Sequence, residues 1–157
     1  MNLLVINAVL ALGWAAFFGH FSAASLLGGF ALGYATLWLV RPLYGETDYF
    51  RRFWKVVGLG LYFLKELVVS SVRVVAVVLA PGQRSRAGMI ALPLDVSAPA
   101  EITVLANLIS LTPGTLSVEV SEDRRVLYVH SMFLDDPDDL RRELKSGLER
   151  RVLEAFR

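Results

Sequence analysis

The first forty residues contain no Lys, Arg, Asp or Glu, so all 16 basic and 15 acidic side chains fall in 41–157. A water-soluble segment of that length exposes charge, whereas a segment dissolved in lipid excludes it. Two apolar stretches, 2–19 and 21–40, are separated by Gly19, His20 and Ser22. Each has close to the ~20 residues that a helix needs to cross a hydrocarbon core. Lipid offers no hydrogen-bond partner to the backbone, so the predicted form is a tight transmembrane helical hairpin over 1–40. A cleaved signal peptide is the rival for the first stretch, but Met1-Asn2 supplies no basic n-region.

Gly29 and Gly33 form a GxxxG pair on the second stretch. Small residues at that spacing let another membrane helix approach closely, although glycine is also common in such helices generally. The hairpin tip has no basic residue, whereas Arg41, Arg51, Arg52 and Lys55 follow it. The positive-inside rule then places both the N-terminus and the stretch after the hairpin in the cytoplasm. Trp38, Tyr44, Tyr49, Phe53 and Trp54 fall where an interfacial aromatic belt is expected.

Residues 41–82 read as a basic and aromatic linker leading into a long amphipathic helix over 53–80. At 100° per residue, Lys55, Tyr62, Glu66, Ser70 and Arg73 share one stripe and the rest is mostly Val, Leu and Phe. Such a helix lies in the membrane interface with its stripe toward water, or spans with its charges against partner subunits. Arg84 and Arg86 give the far flank the same basic character as the near one, which favours the interfacial placement.

From residue 83 to 157 the pattern is that of a small α+β domain in the order β-α-β-β-α, on the cytoplasmic side. A strand is expected over 89–94, with Pro93 marking an edge or an end. A helix follows over 99–111, with its cap at Ser97 or a neighbour and Pro99 and Glu101 in the first turn. Thr112-Pro113-Gly114 stops it. Strands over 115–120 and 125–130 form a hairpin. Asp135 to Asp139, with Pro137, opens a last helix whose apolar face is Leu140, Leu144, Leu148, Val152 and Phe156.

Chemistry is harder to find. Cysteine is absent, which removes disulfides, thiolate nucleophiles and Cys-ligated metals. His20 and His130 lie far apart in sequence, and no serine sits in a GxSxG elbow with an evident partner set. The run Leu111-Thr-Pro-Gly-Thr115 lacks the spacing and the lysine of a phosphate loop, so a helix stop and turn explains it better. The acidic run 135–139 is accounted for by a helix start without a divalent ion. No catalytic, cofactor or metal residue is expected. With no charge in 1–40, the hairpin offers a travelling ion no foothold of the kind that membrane ion pathways use.

The tail carries a resemblance. Leu105-Ala-Asn-Leu-Ile-Ser-Leu-Thr-Pro-Gly-Thr-Leu-Ser-Val-Glu-Val120, Leu127-Tyr-Val-His130 and Leu148-Glu-Arg-Arg-Val-Leu-Glu-Ala-Phe156 resemble the E subunit of the multisubunit Na+/H+ antiporters called Mrp, Mnh or Sha. Tyr62-Phe-Leu-Lys-Glu-Leu67 and Ile90-Ala-Leu-Pro-Leu94 are similar to it as well. The resemblance implies an accessory component, needed for assembly or full activity, in a cell-membrane complex exchanging sodium for protons. The large subunits of that complex would hold the ion path, and they would be this chain's partners. Gly29, Gly33, Glu66, Arg73, Asn107, Pro113 and Gly114 are the residues expected at contacts between subunits. The competing expectation is a membrane-tethered regulatory domain that binds a small molecule or a soluble protein.

Overall fold

The computed structural model describes residues 3–43, 47–80 and 86–157. Met1, Asn2, Tyr44 and Arg84, which entered the expectations above, lie outside the described residues. The chain divides into two compact units, Met1–Phe53 and Trp54–Arg157.

In the first unit α1 (Leu3–Phe17) and α2 (Ala23–Leu39) form the hairpin. Ser22 caps α2 by accepting the amide of Ser25, and Gly19 takes a left-handed φ of 67° at the tip. The seam repeats every fourth residue on both helices: Leu3, Asn7, Ala11 and Ala15 face Gly29, Gly33 and Leu37. A side chain at Gly29 would stand 2.9 Å from Trp14 Cβ and 3.0 Å from the Ala11 backbone, and one at Gly33 would collide with Asn7. The close approach expected of these glycines is therefore made by α1 of the same chain. Their inward face is filled by Asn7, Leu10, Ala11 and Trp14 of α1.

A 3-10 turn (Arg41–Leu43) follows, then α3 (Tyr49–Leu79) begins. Tyr49 and Phe53, expected in an aromatic belt, pack on Tyr34 of α2, at 5.9 and 4.8 Å between ring centroids. Trp38 is half exposed beneath the Arg41 guanidinium.

The expected spans over 2–19 and 21–40 form as helices of 15 and 17 residues. At 1.5 Å per residue they reach about 22 and 25 Å, less than the ~30 Å of a hydrocarbon core. The 31-residue α3 has the length but carries Arg51, Arg52, Lys55, Lys65, Glu66 and Arg73. Among the described residues no helix is both long and apolar enough to cross a membrane.

The second unit contains the rest of α3 and an α+β domain in the expected β-α-β-β-α order. Its elements are β1 (Gly88–Pro93), α4 (Pro99–Leu111), β2 (Thr115–Val120), β3 (Val126–Ser131) and a C-terminal helix. The antiparallel sheet has the order β1-β3-β2, with Met89 opposite His130 and Leu116 opposite His130 on the other side. Both outer strands are edges. Pro93, which lacks an amide donor, ends β1, and a bulge between Ser117 and Glu119 interrupts β2. Ile90, Leu92, Leu127 and Val129 turn one face of the sheet onto Ile102, Leu105 and Ile109 of α4. Each such side chain contributes roughly 1.5–3 kcal/mol on burial.

The cap of α4 is Ala98, which has no side-chain acceptor; the Glu101 carboxylate instead takes the amides of Ser97 and Ala98 at 3.1 and 3.2 Å. The C-terminal helix opens as expected, with Asp136 accepting the amide of Asp138 and Pro137 at the first position. It runs as α5 (Pro137–Leu144), a π turn (Lys145–Glu149) and α6 (Arg150–Phe156). A stripe repeating every four residues drifts about 40° per step on an ideal helix. The wider π turn absorbs part of that drift and keeps Leu144, Leu148 and Val152 on the core. Beyond it Ala155 takes the inward place expected of Phe156, which is 37% exposed.

Gly33→Leu is expected to destabilise the hairpin by about 1–3 kcal/mol through overpacking, lowering the unfolding midpoint followed by tryptophan fluorescence of the full chain in detergent. Gly28→Leu, which meets nothing within 4 Å, is the control and should leave the midpoint in place. Equal midpoints for the two variants would refute the glycine seam.

Candidate functional site

A cleft of about 460 Å³ in the second unit gathers four of the seven residues singled out from sequence. Glu66 and Arg73 of α3 line one wall, and Pro113 and Gly114 of the turn after α4 line another. Asp135, Asp136, Asp139 and Glu143 complete the rim. Tyr62, Glu66, Ser70 and Arg73 of the polar stripe of α3 thus face its own α+β domain. The opposite side of α3 presents Leu61, Leu64, Val68, Val72, Val75 and Leu79, each more than half exposed. Asn107 is exposed on α4 and does not line the cleft.

Tyr62 fastens α3 to the C-terminal helix. The Arg151 guanidinium lies 3.6 Å from the centre of its ring, a cation–π contact. Its hydroxyl fills the space where a Cβ on Gly147 would sit, at 2.6 Å. A Cβ at 147 would displace the Tyr62 hydroxyl, so the bare glycine lets α3 approach the π turn.

The Thr-Pro-Gly-Thr turn is a helix stop. Thr115 Oγ1 donates to the carbonyls of Ile109 and Thr112, and Thr112 Oγ1 donates to that of Leu108. Gly114 adopts φ 92° and its carbonyl accepts the Met132 amide at 2.8 Å. Both hydroxyls serve the unpaired carbonyls at the end of α4. The acidic run has a parallel explanation, since Asp138 and Asp139 pair with Arg141 and Arg142 one turn on. Among the described residues no three His, Asp or Glu side chains converge as a metal site would need.

Two polar centres escaped the sequence reading. Asn7 is fully buried in the hairpin, donating from Nδ2 to the Tyr49 hydroxyl at 2.8 Å. A lone amide on the small-residue face of a charge-free stretch was the available signal. Glu149 is also fully buried, and its Oε1 accepts the amides of Asp95 and Val96 at 2.6 and 3.2 Å. The Lys145 ammonium lies 3.0 Å from Glu149 Oε2 and 2.7 Å from Asp95 Oδ2. The contact to Glu149 is an ion pair rather than an aligned hydrogen bond. Burial works against the Lys145 charge, but Asp95 and Glu149 outweigh it and raise its pKa above the ordinary 10.5.

The build is that of a component of a larger assembly: an apolar hairpin, an amphipathic helix and a small domain whose polar groups are engaged in holding the fold. The chain belongs to the Na+/H+ ion antiporter subunit family, whose model matches residues 7–155. It is 32% identical to the E subunit of the Na(+)/H(+) antiporter of Alkalihalophilus pseudofirmus over 97% of this chain and 96% of that one. The E subunit of the Bacillus subtilis antiporter is also 32% identical, over 98% of both chains. Among solved structures, a chain of the Mrp complex from Dietzia sp. DQ12-45-1b is 31% identical with a TM-score of 0.51, covering 65% of this chain and 96% of that one. A chain of the membrane-bound sulfane sulfur reductase, an archaeal respiratory membrane complex, has a TM-score of 0.56 over 96% of both chains. At 18% identity it shares the fold. The relatives are thus subunits of antiporters, and multisubunit membrane complexes stand among the structural neighbours.

Because the folded pKa of Lys145 lies above its unfolded value, its stabilisation is complete below pH 10.5 and is lost as pH rises through the higher folded value. The wild type is expected to exceed Lys145→Met in stability by about 2 kcal/mol at pH 9. Chemical denaturation should show that gap closing at strongly alkaline pH; a gap constant to pH 12 would refute the assignment.

Proposed function

We propose that this chain is an accessory subunit of a multisubunit monovalent cation/proton antiporter, supporting assembly or stability of the complex without forming the ion path. The observation that carries this reading is a hairpin devoid of Lys, Arg, Asp and Glu in a member of the antiporter subunit family. Ion and proton routes through lipid depend on ionisable groups facing a wet interior. The polar side chain buried in the seam here is an amide held by a tyrosine.

The hairpin resides in the bilayer, with local thinning of the surrounding lipid matching its short helices. Val5, Val9, Leu12, Phe17, Leu27 and Leu39 are all more than half exposed on it, a surface that water does not tolerate. The basic residues after it support a cytoplasmic α+β domain by the positive-inside rule. The apolar stripe of α3 meets lipid at the membrane interface or a neighbouring subunit. Glu66, Arg73, Pro113 and Gly114 present the cleft rim to a partner, and Asn107 offers a separate contact on α4. A second reading, a tethered regulatory domain, is favoured by the cleft itself, whose volume suits a small molecule.

In sealed vesicles the chain alone should leave imposed sodium and pH gradients unchanged. Co-expressed with the large antiporter subunits, it should purify with them in mild detergent. Exchange by the isolated chain would overturn the accessory role. A monodisperse chain that ignored those subunits and bound a nucleotide would favour the regulatory reading.

A further inference from the structure

The sheet of the second unit buries one face and leaves the other open. Residues directly opposite one another share a face, so Met89, His130 and Leu116 form one row on the open side. Ala91, Tyr128 and Glu119 form the next row, with Val118 of the bulge beside them. Met89, Leu116 and Val118 are each more than half exposed, and Tyr128 is 36% exposed. An antiparallel sheet with one covered face commonly turns polar side chains to water on the other. This one turns out methionine, alanine, leucine, valine and tyrosine, with Glu119 as the charged residue among them.

Size and charge select the occupant. The strands are six residues long. Three of them, about 4.8 Å apart and rising ~3.3 Å per residue, give a footprint of roughly 14 by 20 Å. That is short of the ~800 Å² that each partner of a stable pair buries, so a second copy docked through this face alone is not held. Glu119 has no ion-pair partner among the described residues. The adjoining turn, with Glu122 and Asp123 against Arg124 and Arg125, does not offset its charge. An acidic lipid surface therefore repels this face. The covered face shows what the sheet accepts. There α4, with 13 residues, lies across the strands, and its reach of about 20 Å matches their length.

We propose that the open face receives a single helix of another subunit of the antiporter complex, apolar where it meets Met89, Leu116 and Tyr128 and basic opposite Glu119. The inference rests on the accessory-subunit reading. A helix tethered in the same assembly docks at high effective concentration, so a contact too small to hold two free chains is enough.

The test uses the full chain co-expressed with the large antiporter subunits, each carrying its own tag. The photoreactive residue p-benzoylphenylalanine replaces Tyr128, or Leu116 in a second sample, and intact membranes are irradiated. Both positions should give an adduct with one of the tagged subunits, whereas the same probe at the exposed Glu154 of α6 should give none. Met89→Gln with Leu116→Gln should lower the Tyr128 adduct by about tenfold. Glu119→Lys should lower it too, and all variants should keep the far-UV circular dichroism of the wild type. An adduct of this chain with itself, equal adducts from Tyr128 and Glu154, or no adduct from the open face would each overturn the proposal. So would a yield unchanged by the glutamine pair or by Glu119→Lys. Co-purification in mild detergent separates the underlying reading. A chain that leaves the large subunits behind defeats the accessory role, whereas one that retains them without a Tyr128 adduct defeats the docking face alone.

Discussion

A single buried carboxylate organises the second unit. Glu149 sits with no solvent exposure, takes two backbone amides from the segment between β1 and α4, and is balanced by Lys145. Removing one partner of such an arrangement leaves an uncompensated charge in the interior. The π turn is what brings Glu149 inward, and the same turn leaves Gly147 bare for Tyr62. One local widening of a helix therefore fixes the C-terminal helix to the sheet on one side and to α3 on the other.

The first unit solves a different problem. Two helices without charge have no hydrophobic reason to associate once lipid surrounds them, so close packing and polar contacts must hold them. Glycine on α2 against alanine on α1 supplies the packing, and the Asn7–Tyr49 hydrogen bond supplies the polar contact at the start of α3. The seam uses the small residues internally. The exposed apolar side chains lie on the outside of the hairpin and along α3.

Much of the domain was legible because local chemistry dictated it. The helix over 99–111 and the strand over 115–120 occur where the pattern places them, bounded by Pro99 and by the Thr-Pro-Gly turn. β3 starts one residue later than expected because Arg124, at φ 57°, lengthens the turn before it. The inward rotation of Glu149 and the contact of Tyr62 with Arg151 were hidden. They join residues far apart in sequence and depend on a π turn that has no pattern of its own. Of the singled-out residues, Glu66, Arg73, Pro113 and Gly114 meet around one cleft, which the stripe on α3 and the stop after α4 indicated only separately. Asn107 marked a helix surface that the cleft does not reach.

The three-stranded sheet leaves two borders open, one closed off by an imino acid at Pro93 and the other bent by the irregularity in β2. Flat borders with regularly spaced donors and acceptors recruit further copies into ribbons. Here neither margin offers such a template for its full length. A newly made molecule that has not yet met its companions is thus protected from stacking with its siblings, at the stage when its greasy surfaces are most exposed.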